Sequence, residues 1–325
     1  MKWAIVVHGG AGVVERKDLS PEQEAAYRAA MNRAIQAGGA VLSQGGSALD
    51  AIEATTQLLE DDPLFNAGRG SVFTAEGHNE LDAAIMDGKT LAAGCVAGVT
   101  RTRHPISLAR RVMEKSPHVM LIAAGADRFS KEQGLEQVEP GWFYTERRWR
   151  ALQTFLKEQG LPIPPQPPGV QQADSTAANL AHDEGKHGTV GVAALDLNGN
   201  VAAGTSTGGT TGKRWGRVGD SPIIGAGTYA SNGSCAVSAT GTGEYFIRLA
   251  VAREICALVE HKGMRLQAAA DEVVQKQLTA IKGDGGIIAV APDGQMAWSF
   301  NTSGMYRARL SQDQPVQIAI YKDEQ

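Results

Sequence analysis

Cysteine is scarce in this chain: Cys95, Cys235 and Cys256 are the only three in 325 residues. Odd in number and widely spaced, they make neither a disulfide framework nor a zinc spacing, and a reducing cytoplasm is the expected home. Long apolar runs are missing, and none approaches the roughly 20 residues that cross a bilayer. The start, MKWAIVVHGGAG, lacks the apolar core and cleavage site of a secretory signal. Positive charge is not in excess: 31 Lys and Arg stand against 35 Asp and Glu, for a net charge of −4. That excludes the basic face expected of a nucleic-acid or anionic-membrane binder. Familiar nucleophile signatures are absent too, with no G-x-S-x-G, H-E-x-x-H or S-x-x-K in a suitable context. What remains is a globular composition, 42% apolar and 20% charged, long enough for one large layered domain or two ordinary ones. Glycine alone is abundant, at 39 residues, which predicts many tight turns and close backbone approaches.

Along the chain, Lys2–Val7 is a short apolar strand. HGGAG (8–12) follows as a flexible packing turn, since it lacks the Lys-Ser/Thr ending of a phosphate loop. Pro21 opens a helix that ends at Gly45-Gly46, and Ser47 caps a second one over 48–62, stopped by Pro63. Glycine-punctuated NAGRGSVFT (66–74) leads to strands near 79–87 and 92–99. Helices are expected at 105–115 and 145–158, with an apolar run at 118–125. Residues 161–188 hold five of the thirteen prolines and no helical or strand period. They read as an exposed, flexible linker, with His182 and His187 solvated. Beyond it come strands near 189–197, 200–207, 224–231 and 234–239, then helices at 243–261 and 265–281. Strands near 286–291, 296–300 and 304–309 close the chain. Blocks of strands beside blocks of helices predict two packed sheets with helices outside, not βαβ alternation.

The linker ends at Gly188-Thr189, where a buried strand begins at once. A β-branched residue suits any strand start, but this junction has the look of a cleavage site. Gly188 has no Cβ to resist the strained backbone that attack on its own carbonyl requires. Attack by the Thr189 hydroxyl would give an ester, and hydrolysis would free the Thr189 amine. An α-amino group titrates near pH 8, so an N-terminal threonine carries its own base beside its hydroxyl. Asn198-Gly199 signals a hairpin joining TVGVAALD to VAAGTST. A two-residue loop would set Thr189 against Gly208. The three-residue loop Leu197-Asn198-Gly199, with Gly left-handed, sets Thr189 against Thr207, and this second register is the expected one.

Three further patterns stand out. RVGDSP places Arg217 and Asp220 three residues apart: a planar fork for a carboxylate beside an acceptor for an ammonium, or else a surface ion pair. SATGTGE (238–244) is a strand, a glycine turn and a helix start whose Thr240 and Gly241 could form an oxyanion site. Its G-T-G-E lacks the third glycine of a dinucleotide fingerprint. The acidic run Glu60-Asp61-Asp62 reads from composition as a solvated helix end, with a cation-binding carbonyl loop as the rival.

HGGAG, PLFNAGRGSVFT, ELDAAIMDG, SPHVMLI, GTVGVAALDLNGN, TSTGG, GRVGDSP and TGTGE occur in this order. With them the chain resembles the plant-type L-asparaginases/isoaspartyl peptidases of the N-terminal-nucleophile hydrolases, over nearly its whole length except 160–186. The resemblance implies an α+β, four-layer αββα sandwich made as a precursor that cuts itself between Gly188 and Thr189. An α subunit (1–188, with 160–188 its flexible linker) and a β subunit (189–325) would then form one structural domain and assemble as (αβ)2. It implies Thr189 as nucleophile, Thr207 as its hydroxyl neighbour, and Thr240 and Gly241 as the oxyanion hole. Asn66 would line the same pocket, Arg217 and Asp220 would grip the substrate's α-carboxylate and α-amine, and Gly243 would add a backbone contact. No cofactor is implied for catalysis. A structural sodium ion is implied in the loop of Leu59, Glu60, Asp62, Phe65, Ala67 and Arg69, held mainly by carbonyl oxygens. The substrates implied are L-asparagine and β-aspartyl dipeptides. A threonine aspartase that cuts proteins is a weaker rival, since no extra segment suggests a protein-docking surface, and two further alternatives remain. Glycosylasparaginases are typically exported and carry His-Asp before the threonine, where this chain has His187-Gly188. An uncleaved, inactive amino-acid-binding relative is the other.

Overall fold

Side-chain parity along the strands decides which layer each residue joins. In the first strand, β1 (Ala4–Gly12), Ile5 and Val7 pack under the helices, whereas Ala4 and Val6 face the opposite sheet. The same alternation runs through β5 (Val190–Leu195), where Val190, Val192 and Ala194 face the helices while Ala193 and Leu195 face the other sheet. The computed structural model describes residues 2–170 and 188–324. Among these residues there are two sheets. The larger has eight strands in the order β12-β11-β1-β5-β6-β2-β3-β4, antiparallel except for the β3–β4 pair. It comprises β2 (Leu81–Asp87), β3 (Ala93–Val99), β4 (Met120–Ile122), β6 (Val201–Thr207), β11 (Gly304–Ser311) and β12 (Gln317–Tyr321) besides β1 and β5. The smaller has the order β10-β9-β8-β7, with β7 (Thr228–Ala230), β8 (Ala236–Gly241), β9 (Gly285–Val290) and β10 (Met296–Phe300).

The helices α1 (Pro21–Ser43), α2 (Ala48–Asp61) and α3 (Pro105–Lys115) cover the large sheet, and α4 (Ala123–Glu132) lies beside β3. The other face of the molecule is built by α6 (Gly243–Leu249), α7 (Val251–Lys262) and α8 (Leu266–Asp271) over the small sheet, while α5 (Glu146–Glu158) sits in a separate aromatic cluster. The layers are therefore helix, sheet, sheet, helix: the αββα sandwich expected from the resemblance. Ser20 and Ser47 cap α1 and α2 through reciprocal capping boxes, with Pro21 at the first position of α1.

Several expectations need correction. HGGAG is not a turn but the second half of β1, kinked by a bulge between His8 and Gly10. Glycine is required there: Gly10 has φ +118°, and a Cβ on Gly9 would strike the Phe65 ring. The single helix expected over 243–261 is broken at Ala250, which is left-handed at φ +50°. The segment expected as a helix over 265–281 is α8 followed by a π-helical stretch, Glu272–Leu278. The apolar run 118–125 divides into β4 and the start of α4, and β12 was not foreseen. Of the proline-rich linker, 161–170 has no regular secondary structure beyond a turn at 168–169 and is partly packed, with Pro167 buried and Pro168 O accepting from Gly141 N–H. The remainder, 171–187 with His182 and His187, lies outside the described residues.

Candidate active site

The hairpin adopts the three-residue loop: Asp196 N–H donates to Asn200 O, Gly199 has φ +81°, and Val190 pairs with Ser206. Continuing that register sets Thr189 against Thr207, and the Thr189 Oγ1 donates to Thr207 Oγ1 over 3.0 Å. Parity puts both hydroxyls on the inter-sheet face, at the end of the large sheet. Both residues are buried. Thr207 Oγ1 also accepts from Gly209 N–H at 3.0 Å, so this oxygen takes two hydrogen bonds. Ser206 belongs to a literal G-x-S-x-G, Gly204 to Gly208. Yet it lies mid-strand rather than on a strand-to-helix elbow, and its hydroxyl is spent on Glu60 at 2.7 Å.

Around the two threonines lies a small cavity lined by Gly188, Gly209, Thr210, Arg217, Gly219, Asp220, Ser221 and Gly241. Its free volume is about 10 Å³, the space of roughly one water molecule. Gly188 is one of its walls, so in the uncut chain the residue before the junction occupies room that a ligand would need. Arg217 makes a bidentate pair with Glu244, both contacts 2.9 Å. Asp220 is buried, its Oδ2 has no hydrogen-bond partner among the described residues, and burial raises its pKa to about 7 against the pull of its own N–H and of Arg217. A buried carboxylate with an unspent oxygen is matched to a cationic ligand.

Thr240 and Gly241 end β8, on the small sheet, opposite the threonine pair. Thr240 Oγ1 accepts from Ala11 N–H at 3.3 Å, and Gly241 has φ +154° with Phe246 and Asp284 O against it, leaving no space for a side chain. Gly243 opens α6 directly against Asp220: a Cβ there would lie 2.8 Å from Asp220 N and Oδ1. Asn66 stands behind the cavity wall. Its Nδ2 donates to Gly209 O at 2.8 Å, and its Oδ1 accepts from Val72 N–H at 2.9 Å, so it fixes the turn that carries Gly208 and Gly209.

The acidic run is not a solvated helix end. Glu60 is fully buried and accepts from Ser206 Oγ and Ile106 N–H, while His104 Nδ1 lies 3.3 Å from its second oxygen. Burial raises the Glu60 pKa, and burial opposes but does not cancel the rise that Glu60 gives His104. The carbonyls of this loop crowd together. A Cβ on Gly70 would lie 2.7 Å from both Pro63 O and Phe65 O, and one on Gly68 would strike Glu60 O. Such convergent main-chain oxygens are the donors a hard cation prefers. Glu60 O already accepts from Arg69 N–H at 2.6 Å, and the Asp62 carboxylate faces Leu64 N–H and Arg33. The fit thus rests on carbonyls, not carboxylates. Among the described residues, no group of three or more His, Cys, Asp or Glu side chains could hold a metal ion.

Two buried sets escaped the sequence reading. His8 Nε2 lies 2.9 Å from Ser238 Oγ, which continues to Thr205 and Thr228 at 2.7 and 2.6 Å. Burial lowers the His8 pKa to about 3, so the ring is neutral. Gly191 makes the contact possible, since a Cβ there would collide with both His8 and Ser238. The second set, Asp82 with Lys213, lies beside Thr207. Asp82 left one trace: an acid at an inward position of an apolar strand. Lys213 left none.

A family model described as "Asparaginase" matches residues 1–320. The chain belongs to this asparaginase family. Members similar to it include the "Isoaspartyl peptidase" of Escherichia coli (strain K12), 48% identical over 94% of this chain and 92% of that protein. The "Isoaspartyl peptidase/L-asparaginase" of Xenopus laevis is 42% identical over 100% of this chain and 97% of its own. The human "Isoaspartyl peptidase/L-asparaginase" is 40% identical over 93% and 91%. The matches run through both halves of the chain, so the hydroxyl pair and the Arg217–Asp220 turn fall inside the shared region. No helix among the described residues is long and apolar enough to cross a membrane.

Proposed function

We propose that this family member is a threonine hydrolase that releases L-aspartate from β-aspartyl dipeptides and from L-asparagine, after cutting itself between Gly188 and Thr189. The observation that carries the reading is the 3.0 Å contact of Thr189 Oγ1 with Thr207 Oγ1, in a cavity that also holds Arg217 and the unspent oxygen of Asp220.

Maturation begins with Thr189 Oγ1 attacking the Gly188 carbonyl carbon, its proton being relayed through the Thr207 hydroxyl to the departing Thr189 nitrogen. The C–N bond breaks as the C–O bond forms, and water hydrolyses the ester. The products are an α subunit ending at Gly188, a β subunit starting at Thr189, and a free α-amine. One folded domain retains both, because β1 of the first subunit pairs with β5 and β11 of the second. In turnover the α-amine takes the Thr189 proton as the oxygen attacks the substrate's side-chain carbonyl. Thr240 and the Gly241 backbone receive the oxyanion, and Asn66 holds the facing turn. The proton leaves with ammonia or the departing amino acid, and water then frees aspartate. Arg217 binds the α-carboxylate, Asp220 binds the α-ammonium, and Gly243 keeps the approach to Asp220 open.

The carbonyls of 59–69 would hold a sodium ion that braces the loop carrying Asn66; catalysis itself needs no cofactor. Self-assembly as (αβ)2 is supported by an exposed apolar edge: Val119, Met120 and Ile122 lie on and beside β4, the last strand of the large sheet. Three cysteines outside any disulfide suit the cytoplasm. The test is turnover of L-asparagine and β-aspartyl-leucine by matured protein beside Thr189→Ala. The variant should stay one chain and turn over neither substrate; an active variant would refute the mechanism.

A further inference from the structure

Lys213 carries an ammonium group into the interior beside the threonine pair, with its side chain only 1% exposed. Its Nζ donates to Glu80 O at 2.8 Å and lies 4.0 Å from Asp82 Oδ2 and 3.9 Å from Glu80 Oε2. Asp82 is itself fully buried; its Oδ1 accepts from Gly98 N–H at 2.9 Å and its Oδ2 has no hydrogen-bond partner among the described residues. Register places Asp82 directly across β2–β6 from Thr207, so both side chains stand on one face. On the other side, the Lys213 chain passes beneath Gly209. A Cβ on Gly209 would lie 3.1 Å from Lys213 Cδ and 3.2 Å from Nζ. Gly209 is the residue whose N–H donates to Thr207 Oγ1.

We propose that Lys213 and Asp82 act as one positioning unit, bracing the 208–213 turn against β2 so that the Gly209 N–H stays on Thr207 and Thr207 stays on Thr189. The inference rests on the reading of Thr189 as nucleophile. Losing Lys213 strips the fully buried Asp82 of its ion-pair partner, and losing Asp82 leaves Lys213 with Glu80 only. Neither residue lines the cavity. Arg217 is held directly by Glu244 and Asp82 reaches it only through space, so the direct contacts of the unit are with the turn that carries the reacting hydroxyls.

The test compares Lys213→Met, Asp82→Asn and the double variant with wild type, by kcat and KM on β-aspartyl-leucine and by the rate of self-cleavage. Displacement of a reacting group by about 1 Å costs up to a hundredfold. Each single variant should lower kcat and cleavage rate about tenfold or more while KM stays within about twofold. The double variant should be no slower than the worse single one. A merely structural role predicts KM rising in step and effects that multiply, and either result overturns the proposal, as does wild-type kcat in both single variants. Asp82→Asn keeps the Gly98 contact and carries the test alone if Lys213→Met does not fold. Wild-type protein that fails on every β-aspartyl substrate would instead overturn the nucleophile reading, which separates the two failures.

Discussion

Asp220 should make the protein less stable wherever it is charged, and removing the charge should expose how much. Its pKa rises from 3.8 to about 7 on folding because the carboxylate is buried with one oxygen unspent. Three units correspond to about 4 kcal/mol. The sign follows from proton binding: between about pH 4 and pH 7 the folded form keeps a proton that the unfolded form has lost. Stability therefore falls as pH rises through that window, by about 1.4 kcal/mol per unit, and levels off above pH 7. Asp220→Asn does not titrate, so it should lack this component. The comparison belongs in a Thr189→Ala background, where both proteins remain single chains. Urea unfolding should show the variant gaining on its parent by about 3 kcal/mol between pH 5 and pH 8. A difference that does not change with pH would refute the reasoning. If Asp220 binds the substrate ammonium as proposed, the same substitution should raise KM sharply in the matured protein.

Two more predictions follow from the geometry. Arg217→Ala should raise KM for L-asparagine about 10- to 100-fold, the equivalent of about 1.4–2.7 kcal/mol, with a smaller change in kcat; an unchanged KM would show that the α-carboxylate binds elsewhere. Gly191→Ala should destabilise the sandwich by about 1–3 kcal/mol or more, because its methyl group would collide with Ser238 and His8 between the sheets, and thermal unfolding at wild-type temperature would contradict that packing.

Much of this was legible because the signals were local. Ser20, Pro21 and Ser47 write helix starts into the sequence, and Asn198-Gly199 signals a hairpin with two possible registers, of which the expected three-residue loop gives the Thr189–Thr207 pairing by counting along two strands. HGGAG misled because glycine carries no strand propensity, while its real role, letting β1 bulge against Phe65, depends on a residue more than fifty positions away. Glu60 looked solvated because nothing nearby reveals that Ser206 and His104 will meet it. Lys213 could not be found at all: its partners are Glu80, just before β2, and Asp82 within it, and only the closed fold makes a lysine in a glycine-threonine loop a buried one. Helix caps and hairpin turns can be read from local sequence; charge burial across layers cannot.

The most direct test of the central claim is intact-mass and N-terminal analysis of freshly purified wild-type protein as it acquires activity. Activity should grow in proportion to a fragment of 137 residues whose first residue is Thr189. Full turnover by protein whose Gly188–Thr189 bond is whole in every molecule would contradict the account.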